Sequence, residues 1–324
     1  MAPSLSINLM PTAPVAELVE LAVLAEQNGC SRCWVYDEGL ATRDVYVTLA
    51  AIAVRTGSIP LGPGITNPFV RHPGATATAV ATLDEMSAGR AFLGVGAGGG
   101  LTLNPLAIER NRPVTAVREM VQTLRRLFAG ERVDHDGHAF SFNNAHLEYA
   151  RPAIPIFMAG RGPRMTRLGG QLADGFNLSY IHKSLLGEHV LALREAAGDR
   201  QFLVTYSTMI ATNEADIEVA RAQLSFRLVD SPDSVKELIG MTPDHTDAIR
   251  ASLAQGGPSL AAQHIDDEWV RSFVITGTDA ECATELVTLL TEHKIDEFQL
   301  PVLSTGDAAE LVERTAAMFN QTSD

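Results

Sequence analysis

Short apolar runs of strand length take turns with helical stripes along almost the whole chain, and this alternation limits the fold more than any other feature. Leu5, Ile7 and Leu9 alternate as a half-buried strand does. Leu18, Leu21, Ala22 and Ala25 then recur at i, i+3, i+4 and i+7, one face of a helix, and Gly29 stands where a left-handed C-cap ends it. Residues 34–36 read as a second strand, 45–53 as a helix and 59–61 as a third strand. Ala75, Ala79, Leu83 and Met86 form the next helical stripe, closed by Gly89, and 92–95 is a fourth strand. Pro113, suited to a first helical turn, opens a long helix striped by Val117, Met120, Val121, Leu124 and Phe128. Further strands are expected at 154–159, 176–178, 202–210 and 295–300, with helices after Pro163 and around Leu311, Val312, Thr315 and Phe319.

Strands and helices in turn imply parallel strands joined by right-handed crossovers. Eight strands favour an α/β fold of the closed (β/α)8 TIM-barrel kind over a doubly wound sheet. The length of 324 residues suits one such barrel, and 46% hydrophobic residues can fill its core. We expect a single domain over 1–324. Two stretches break the rhythm. Residues 132–149 look like a hairpin turning at Asp136 and Gly137. Residues 226–267 form an insertion before the last strand, polar and rich in Gly and Pro over 231–267, with weak helical pieces. Such an insertion can serve as a lid or substrate wall, or as a surface excursion or dimer contact.

Charge narrows the function classes. With 25 basic against 39 acidic residues the net charge is -14, unsuited to a nucleic-acid binder, which needs a basic face to displace counterions. No apolar run approaches the roughly 20 residues that span a bilayer. The first ten residues lack the basic and apolar segments of a secretory signal, and three cysteines make no disulfide framework. A cytoplasmic enzyme acting on a small-molecule substrate is the expectation.

Several motifs sit at strand ends, where a barrel keeps its chemistry. Residues 94–100 contain a G-x-G-x-x-G match. The Rossmann reading fails on context, because the motif follows the fourth strand and no helix is expected before Pro113. In a barrel, Gly96, Ala97 and Gly98 would instead let a flat ring approach the backbone. Gly160, Arg161, Gly162 and Pro163 join the fifth strand to a helix. Free N–H groups and the helix dipole make this a phosphate cradle, or else an ordinary tight turn with Arg161 in solvent. The breaker-rich segment 62–68 implies an unusual backbone or a simple loop. His72, before Pro73, reads as a capping or packing residue. Asp37 and Glu38 close the second strand and are candidates for acid/base work, with an N-cap or rim salt bridge as the alternative. Cys30 and Cys33 form a C-x-x-C between a helix and a strand, on the face away from the chemistry. With Cys282 the sole other cysteine, and His135 and His138 lacking acidic partners at ligand spacing, no metal is expected.

The ordered blocks 64–73, 81–90 and 93–98, with 34–37, 160–163 and 173–175, resemble the bacterial luciferase-like superfamily. More narrowly they resemble its coenzyme F420-dependent branch, similar to methylenetetrahydromethanopterin reductase. The resemblance implies a (β/α)8 barrel, often a homodimer, with F420 or alternatively FMN across the C-terminal strand ends. It implies a non-prolyl cis peptide at Gly64–Ile65 behind the ring, ring or side-chain contacts from Thr66 and Asn67, and close passage of Gly96, Ala97 and Gly98. It implies a phosphate held by Gly160, Arg161, Gly162 and Pro163. Three positions depart from the pattern. Glu38 stands where many relatives carry His, Asn8 where some carry Glu, and Gly99 where reductase-type relatives often carry Asp. Asp37 and Glu38 are therefore the remaining proton-handling candidates. The implied activity is hydride transfer between reduced deazaflavin and a small organic substrate. A flavin monooxygenase using O2 and a non-catalytic flavin-binding barrel are the alternatives.

Overall fold

The computed structural model describes residues 2–304 and 306–320. Its strands are β1 (Ser4–Leu9), β2 (Cys33–Val35), β3 (Leu61–Pro63), β4 (Leu93–Val95), a hairpin of β5 (Val133–Asp136) and β6 (Ser141–Ala145), then β7 (Ile156–Ala159), β8 (Gly175–Ser179), β9 (Leu203–Ser207), β10 (Ile210–Ala211), β11 (Ile275–Thr276) and β12 (Glu297–Val302). Eight of them form one parallel sheet in the order β3-β2-β1-β12-β9-β8-β7-β4. Parallel bridges Leu61–Ala91 and Thr66–Val95 join β3 to β4 and close the ring. This is the expected (β/α)8 barrel.

Outside the ring lie α1 (Val15–Gln27), α2 (Val45–Ala53), α3 (Pro73–Met86), the short α4 (Gly100–Leu103), α5 (Pro113–Phe128), α6 (Pro163–Leu172) and α7 (Leu186–Ala197). The chain continues through α8 (Glu214–Val229), α9 (Asp233–Leu238), α10 (Pro243–Ala261), α11 (Asp267–Phe273), α12 (Asp279–Glu292) and α13 (Ala308–Asn320). Gly29 and Gly89 take positive φ (75° and 87°) at the ends of α1 and α3, as their C-cap reading requires. His72 caps α3, its Nδ1 accepting from Gly74 N at 3.0 Å.

Four expectations need correction. The third strand lies at Leu61–Pro63, two residues later than the apolar run suggests. Glu26 accepts from the N–H groups of Gly57, Ser58 and Ile59, and Arg90 takes the Ile59 carbonyl at 2.7 Å. That backbone is used up locally, so the ladder starts afterwards. Burial alone would raise the Glu26 carboxyl, but the backbone donors of Ser58, Ile59 and Gly57 bring it down to about 2. Second, 202–210 is not one strand. The run ends at Ser207, and Ile210–Ala211 pairs with Ile275–Thr276 in a separate two-stranded clamp. Third, α4 and a 3-10 turn at Asn104–Leu106 do follow the glycine loop, pinned by buried Thr102 and Leu103. Fourth, the insertion is far more helical than its composition suggests. Thr242 and His245 form a capping box at the start of α10, which kinks at Gly257 (φ 72°). The insertion and the helices flanking it share an apolar cluster, in which Leu224, Ile249, Trp269 and Phe273 meet Tyr180 and Met209 from the barrel.

The main core lies between strands and helices, where Ile7, Leu9, Val35, Leu93, Ile156, Leu178 and Leu300 pack outward. Alternate residues point inward. Trp34, Phe92 and Phe157 meet edge-on inside the barrel, with ring centroids 4.3, 5.2 and 5.4 Å apart. Below them, at the N-terminal end, the fully buried Glu297 accepts from Arg32, from Ser31 Oγ (2.7 Å) and from Ser6 Oγ (2.9 Å). Gln299 Oε1 accepts from Asn177 Nδ2 at 2.8 Å and Asn8 Nδ2 at 3.3 Å.

Candidate active site

Every candidate residue falls at the C-terminal end of a strand, on one rim of the barrel. Asp37 and Glu38 follow β2. Gly64, Ile65, Thr66 and Asn67 follow β3. Gly96, Ala97 and Gly98 follow β4, and Gly160, Arg161, Gly162 and Pro163 follow β7. Since β2, β3 and β4 are neighbours, with β7 beside β4, the four groups form one continuous arc.

The β3 end is the most constrained part. Gly64–Ile65 is a cis peptide bond not involving proline, as the resemblance implies. Asn8 Nδ2 donates to the Gly64 carbonyl at 2.8 Å, and Gly64 N donates to Val35 O at 2.7 Å. A Cβ on Gly64 would lie 2.7 Å from the Trp34 Cβ, so only glycine fits. Thr66 exchanges backbone bonds with β4, its N donating to Gly94 O and its O accepting from Gly96 N, both at 2.9 Å. Its buried Oγ1 has no partner at hydrogen-bonding geometry. Asn67 shapes the next turn, its Oδ1 accepting from Phe69 N and Val70 N at 3.0 Å.

The glycine loop after β4 serves two purposes. A Cβ on Gly96 would sit 2.0 Å from Ile65 Cδ1, so the space freed at Gly96 is filled by Ile65 rather than left for a ring. Gly98 takes φ 70° over the Asn67 side chain, and Ala97 is half-exposed on the rim. The wall that a flat ring would meet is therefore Ile65 itself, braced from behind.

Asp37 and Glu38 are neighbours in sequence with different surroundings. Burial raises the Asp37 carboxyl, with the Thr66 hydroxyl and Arg71 pulling it down and Asp44 pushing it up. Arg71 pairs with Asp44 at 3.6 Å and lies 4.8 Å over the Tyr46 ring. Glu38 accepts from Thr102 Oγ1 on α4. Burial raises its carboxyl too, while the Thr102 hydroxyl and Arg227 pull it down and Asp37 adds to the rise.

At β7 the loop leads into the N-terminus of α6. Gly162 caps α6 in an extended conformation (φ -100°, ψ 149°) without a side-chain bond to the first turn, and a Cβ there would meet nothing within 4 Å. Pro163 has no N–H, and the Met165 and Thr166 N–H groups turn back to Gly162 O at 3.0 Å. The Arg164 N–H is left as the outward donor of this helix end. Arg161 does something the sequence did not suggest. Its Nη1 donates to the Arg227 carbonyl (2.6 Å) and to Ser231 Oγ (3.3 Å), tying the end of α8 to the β7 loop. Burial, and then Arg227, lower its guanidinium to about 10.

Sequence reasoning missed Tyr36, Tyr180, Thr102 and Arg227. Tyr36 and Tyr180 each stand one residue past a barrel strand, a position that marks rim residues once the strands are placed. Nothing in the local pattern marks Arg227, which arrives from the insertion. Among the described residues no group of three or more His, Cys, Asp or Glu is placed to hold a metal. Cys30 and Cys33 are buried free thiols at the opposite end of the barrel. Among the described residues no helix is long and apolar enough to cross a membrane.

This geometry agrees with what the chain is similar to. The luciferase-like monooxygenase family profile matches residues 3–297. A 5,10-methylenetetrahydromethanopterin reductase of Methanolobus tindarius is 32% identical over 296 residues, covering 88% of this chain and 90% of the relative. That of Archaeoglobus fulgidus is 34% identical over 284 residues, covering 84% and 85%. The coenzyme F420-dependent tetrahydromethanopterin reductase structure from Methanopyrus kandleri superposes with a TM-score of 0.87 at 24% identity, covering 100% of both chains. The chain belongs to the luciferase-like monooxygenase family.

Proposed function

We propose that this protein is an F420-dependent oxidoreductase that moves a hydride between reduced deazaflavin and a small organic substrate. The observation that carries the reading is the arc from the β3 bend to the uncapped α6 N-terminus. It joins a braced apolar side chain at Ile65 to a helix N-terminus without a side-chain cap at Gly162, which suits a flat ring with a phosphate tail. Relatives above 30% identity over more than four-fifths of the chain are methylenetetrahydromethanopterin reductases, and others are named as F420-dependent glucose-6-phosphate dehydrogenases.

The residues present fit the cofactor. Ile65 presents an apolar side chain braced against Gly96, and Gly162 leaves open space before a helix N-terminus. Ile65, Thr66, Asn67 and the 96–98 loop would hold the ring side, and residues 160–163 the phosphate. When bound, the deazaflavin supplies or accepts the hydride, and the protein supplies orientation and a proton. Glu38 holds that proton, because burial favours its neutral form, and Thr102 fixes the carboxyl's direction. The insertion walls the substrate side. Arg161 bonds it to the β7 loop, so the chain works as one unit.

Two wider readings accompany this one. Leu40, Val47 and Val54 expose apolar side chains at and beside α2, the kind of face a second copy would cover in a homodimer. Three free buried thiols suit a reducing cytoplasm. The decisive experiment is an absorbance titration of purified protein with F420 and with FMN. Micromolar affinity for F420 alone supports the proposal. Tight FMN binding with O2-dependent turnover would replace it with a monooxygenase, and cofactor binding without turnover of any hydride acceptor would leave a non-catalytic barrel.

A further inference from the structure

Three carboxamides meet inside the barrel. Asn8 stands on β1, Gln299 on β12 and Asn177 on β8, and all three are buried, at 1%, 1% and 4% exposure. Gln299 Oε1 accepts from Asn177 Nδ2 at 2.8 Å and from Asn8 Nδ2 at 3.3 Å. Asn8 Nδ2 also donates to the Gly64 carbonyl at 2.8 Å. Two of these bonds skip strands, because β9 separates β12 from β8 and β2 separates β1 from β3. Such bonds are made only across the interior, so the three side chains form a beam that runs from β8 to the end of β3. Ser207, the register partner of Gln299 in β9, faces the same way and is small enough to let the beam pass.

A barrel interior is ordinarily filled by branched apolar side chains. Here the amides leave Asn8 Oδ1, Asn177 Oδ1 and Gln299 Nε2 without a partner at hydrogen-bonding geometry. Each such atom costs stability, and an apolar layer of the same shape would fold at least as well. Stability therefore does not account for the beam. Among the described residues its side chains bond outside the trio only at the Gly64 carbonyl. Gly64 has no slack. Its N–H is bonded to Val35 O at 2.7 Å, and a Cβ on it would stand 2.7 Å from Trp34 Cβ and 3.0 Å from the Asn8 amide. The next residue, Ile65, brings Cδ1 to 2.0 Å from where a Gly96 Cβ would be, and Cγ2 to 3.0 Å from that of Gly94. Where Asn8 holds the Gly64 carbonyl thus decides where Ile65 lies against β4.

We propose that Gln299 and Asn8 are positioning residues for the cofactor: through the Gly64 carbonyl they set the Ile65 side chain against which the ring rests. The inference rests on the F420 reading and deepens it, by naming residues that touch neither ring nor substrate. Asn177 anchors the far end. Gln299 is the joint, because one oxygen takes both asparagine amides. No proton or electron passes along the beam; its work is orientation.

The test compares Gln299→Met, which keeps the length and loses the acceptor, and Asn8→Leu with Gln299→Glu, whose carboxyl oxygen still accepts from both asparagines. Ser6→Ala, which breaks the 2.9 Å bond to Glu297 at the other end of the barrel, is the control for lost stability. Two readouts are taken on the whole protein well below its melting range. One is amide exchange at residues 64–67 without cofactor. The other is fluorescence titration with F420 and with its riboside chromophore, which lacks the phosphate. Gln299→Met and Asn8→Leu should speed exchange of the Thr66 amide about 3- to 10-fold and weaken both ligands by a similar factor, the worth of one hydrogen bond. Gln299→Glu and Ser6→Ala should match the parent in both readouts even where they melt lower. Should Gln299→Met not fold, Asn177→Leu, which removes only the far bond, takes its place with the same expected direction. Unchanged exchange and affinity in Gln299→Met and Asn8→Leu overturn the inference and leave the F420 reading standing. So does an equal loss in Ser6→Ala, which would make the effect one of stability alone. A parent protein that binds no F420, while Gln299→Met still speeds exchange at residues 64–67, overturns the F420 reading and keeps the beam as the brace of Ile65.

Discussion

Gly162→Asp separates stability from function at a single backbone position. Gly162 already has the extended dihedrals of an N-cap, and an added side chain there meets nothing within 4 Å. An aspartate would accept from the Arg164 N–H. Relative to glycine it gains a few tenths of a kcal/mol as a cap, and a further 0.3–1 from the helix dipole, about 0.5–1 in all. The unfolding entropy of a chain this long is about 0.7 kcal/mol/K, so the melting temperature should rise by about 1 °C. The same carboxylate would stand roughly 5 Å from a phosphate in the cradle. At an effective dielectric of about 20 the repulsion is about 3 kcal/mol, two decades in Kd. The assay is a fluorescence titration with F420 and, separately, with its riboside chromophore, which lacks the phosphate. F420 should bind about 100-fold more weakly and the riboside as before, in a protein no less stable than the parent. Equal losses for both ligands, or no loss for F420, would refute the cradle.

Other expectations are shorter to state. Glu38→Gln should abolish hydride transfer while leaving F420 affinity within a few-fold. Because burial raises the folded-state Glu38 carboxyl, its ionised form lowers stability once pH passes the ordinary value of 4.5, and the penalty is complete above the raised one. The variant should therefore resist urea better than the parent at pH 8 and equally at pH 4; weaker resistance at both pH values would mark a structural role through Thr102. Arg161→Ala removes the bonds to Arg227 O and Ser231, so amide exchange should speed up across residues 227–231 while β1 and β12 stay protected. Burial, then Glu297, pushes the Cys30 thiol to about 12, and burial raises Cys282 to about 11 and Cys33 further still. Iodoacetamide at pH 8 should leave all three unlabelled in the native protein and label them in urea, as read by mass spectrometry.

What could be read from the sequence was what rests on period and punctuation. Leu5, Ile7 and Leu9 showed β1, Gly29 and Gly89 showed helix ends, and Asp136–Gly137 showed the hairpin, because each is decided within a few residues. Boundaries set by distant partners were hidden. The start of β3 depends on Glu26 and Arg90, and the end of β9 on Ile275 pairing with Ile210. The insertion misled through its surface: polar and glycine-rich residues concealed the cluster around Trp269 and Phe273. At the site, backbone features were visible as glycines and prolines. The side chains of Tyr36, Tyr180 and Arg227 were not, because they are brought to the rim only by ring closure and by the packing of α8.

That contrast follows from how the rim is built. The arc of candidate residues is fixed from inside the barrel. Gln299 and Asn177 share a bond, Gln299 takes Asn8, and Asn8 holds the Gly64 carbonyl, while Ile65 wedges against Gly96. Each of these contacts is buried, so loosening any one leaves a polar group unpaired or opens a void, and the wall stays in place. The opposite wall hangs on few bonds. Arg161 reaches the end of α8, and Thr208 Oγ1 reaches Phe273 O at 2.5 Å, with the β10–β11 clamp holding the two ends. A segment held at its ends can be altered inside without disturbing the barrel. Arg227 and its hold on Tyr180 belong to that segment. The barrel rim can thus stay constant while that segment varies.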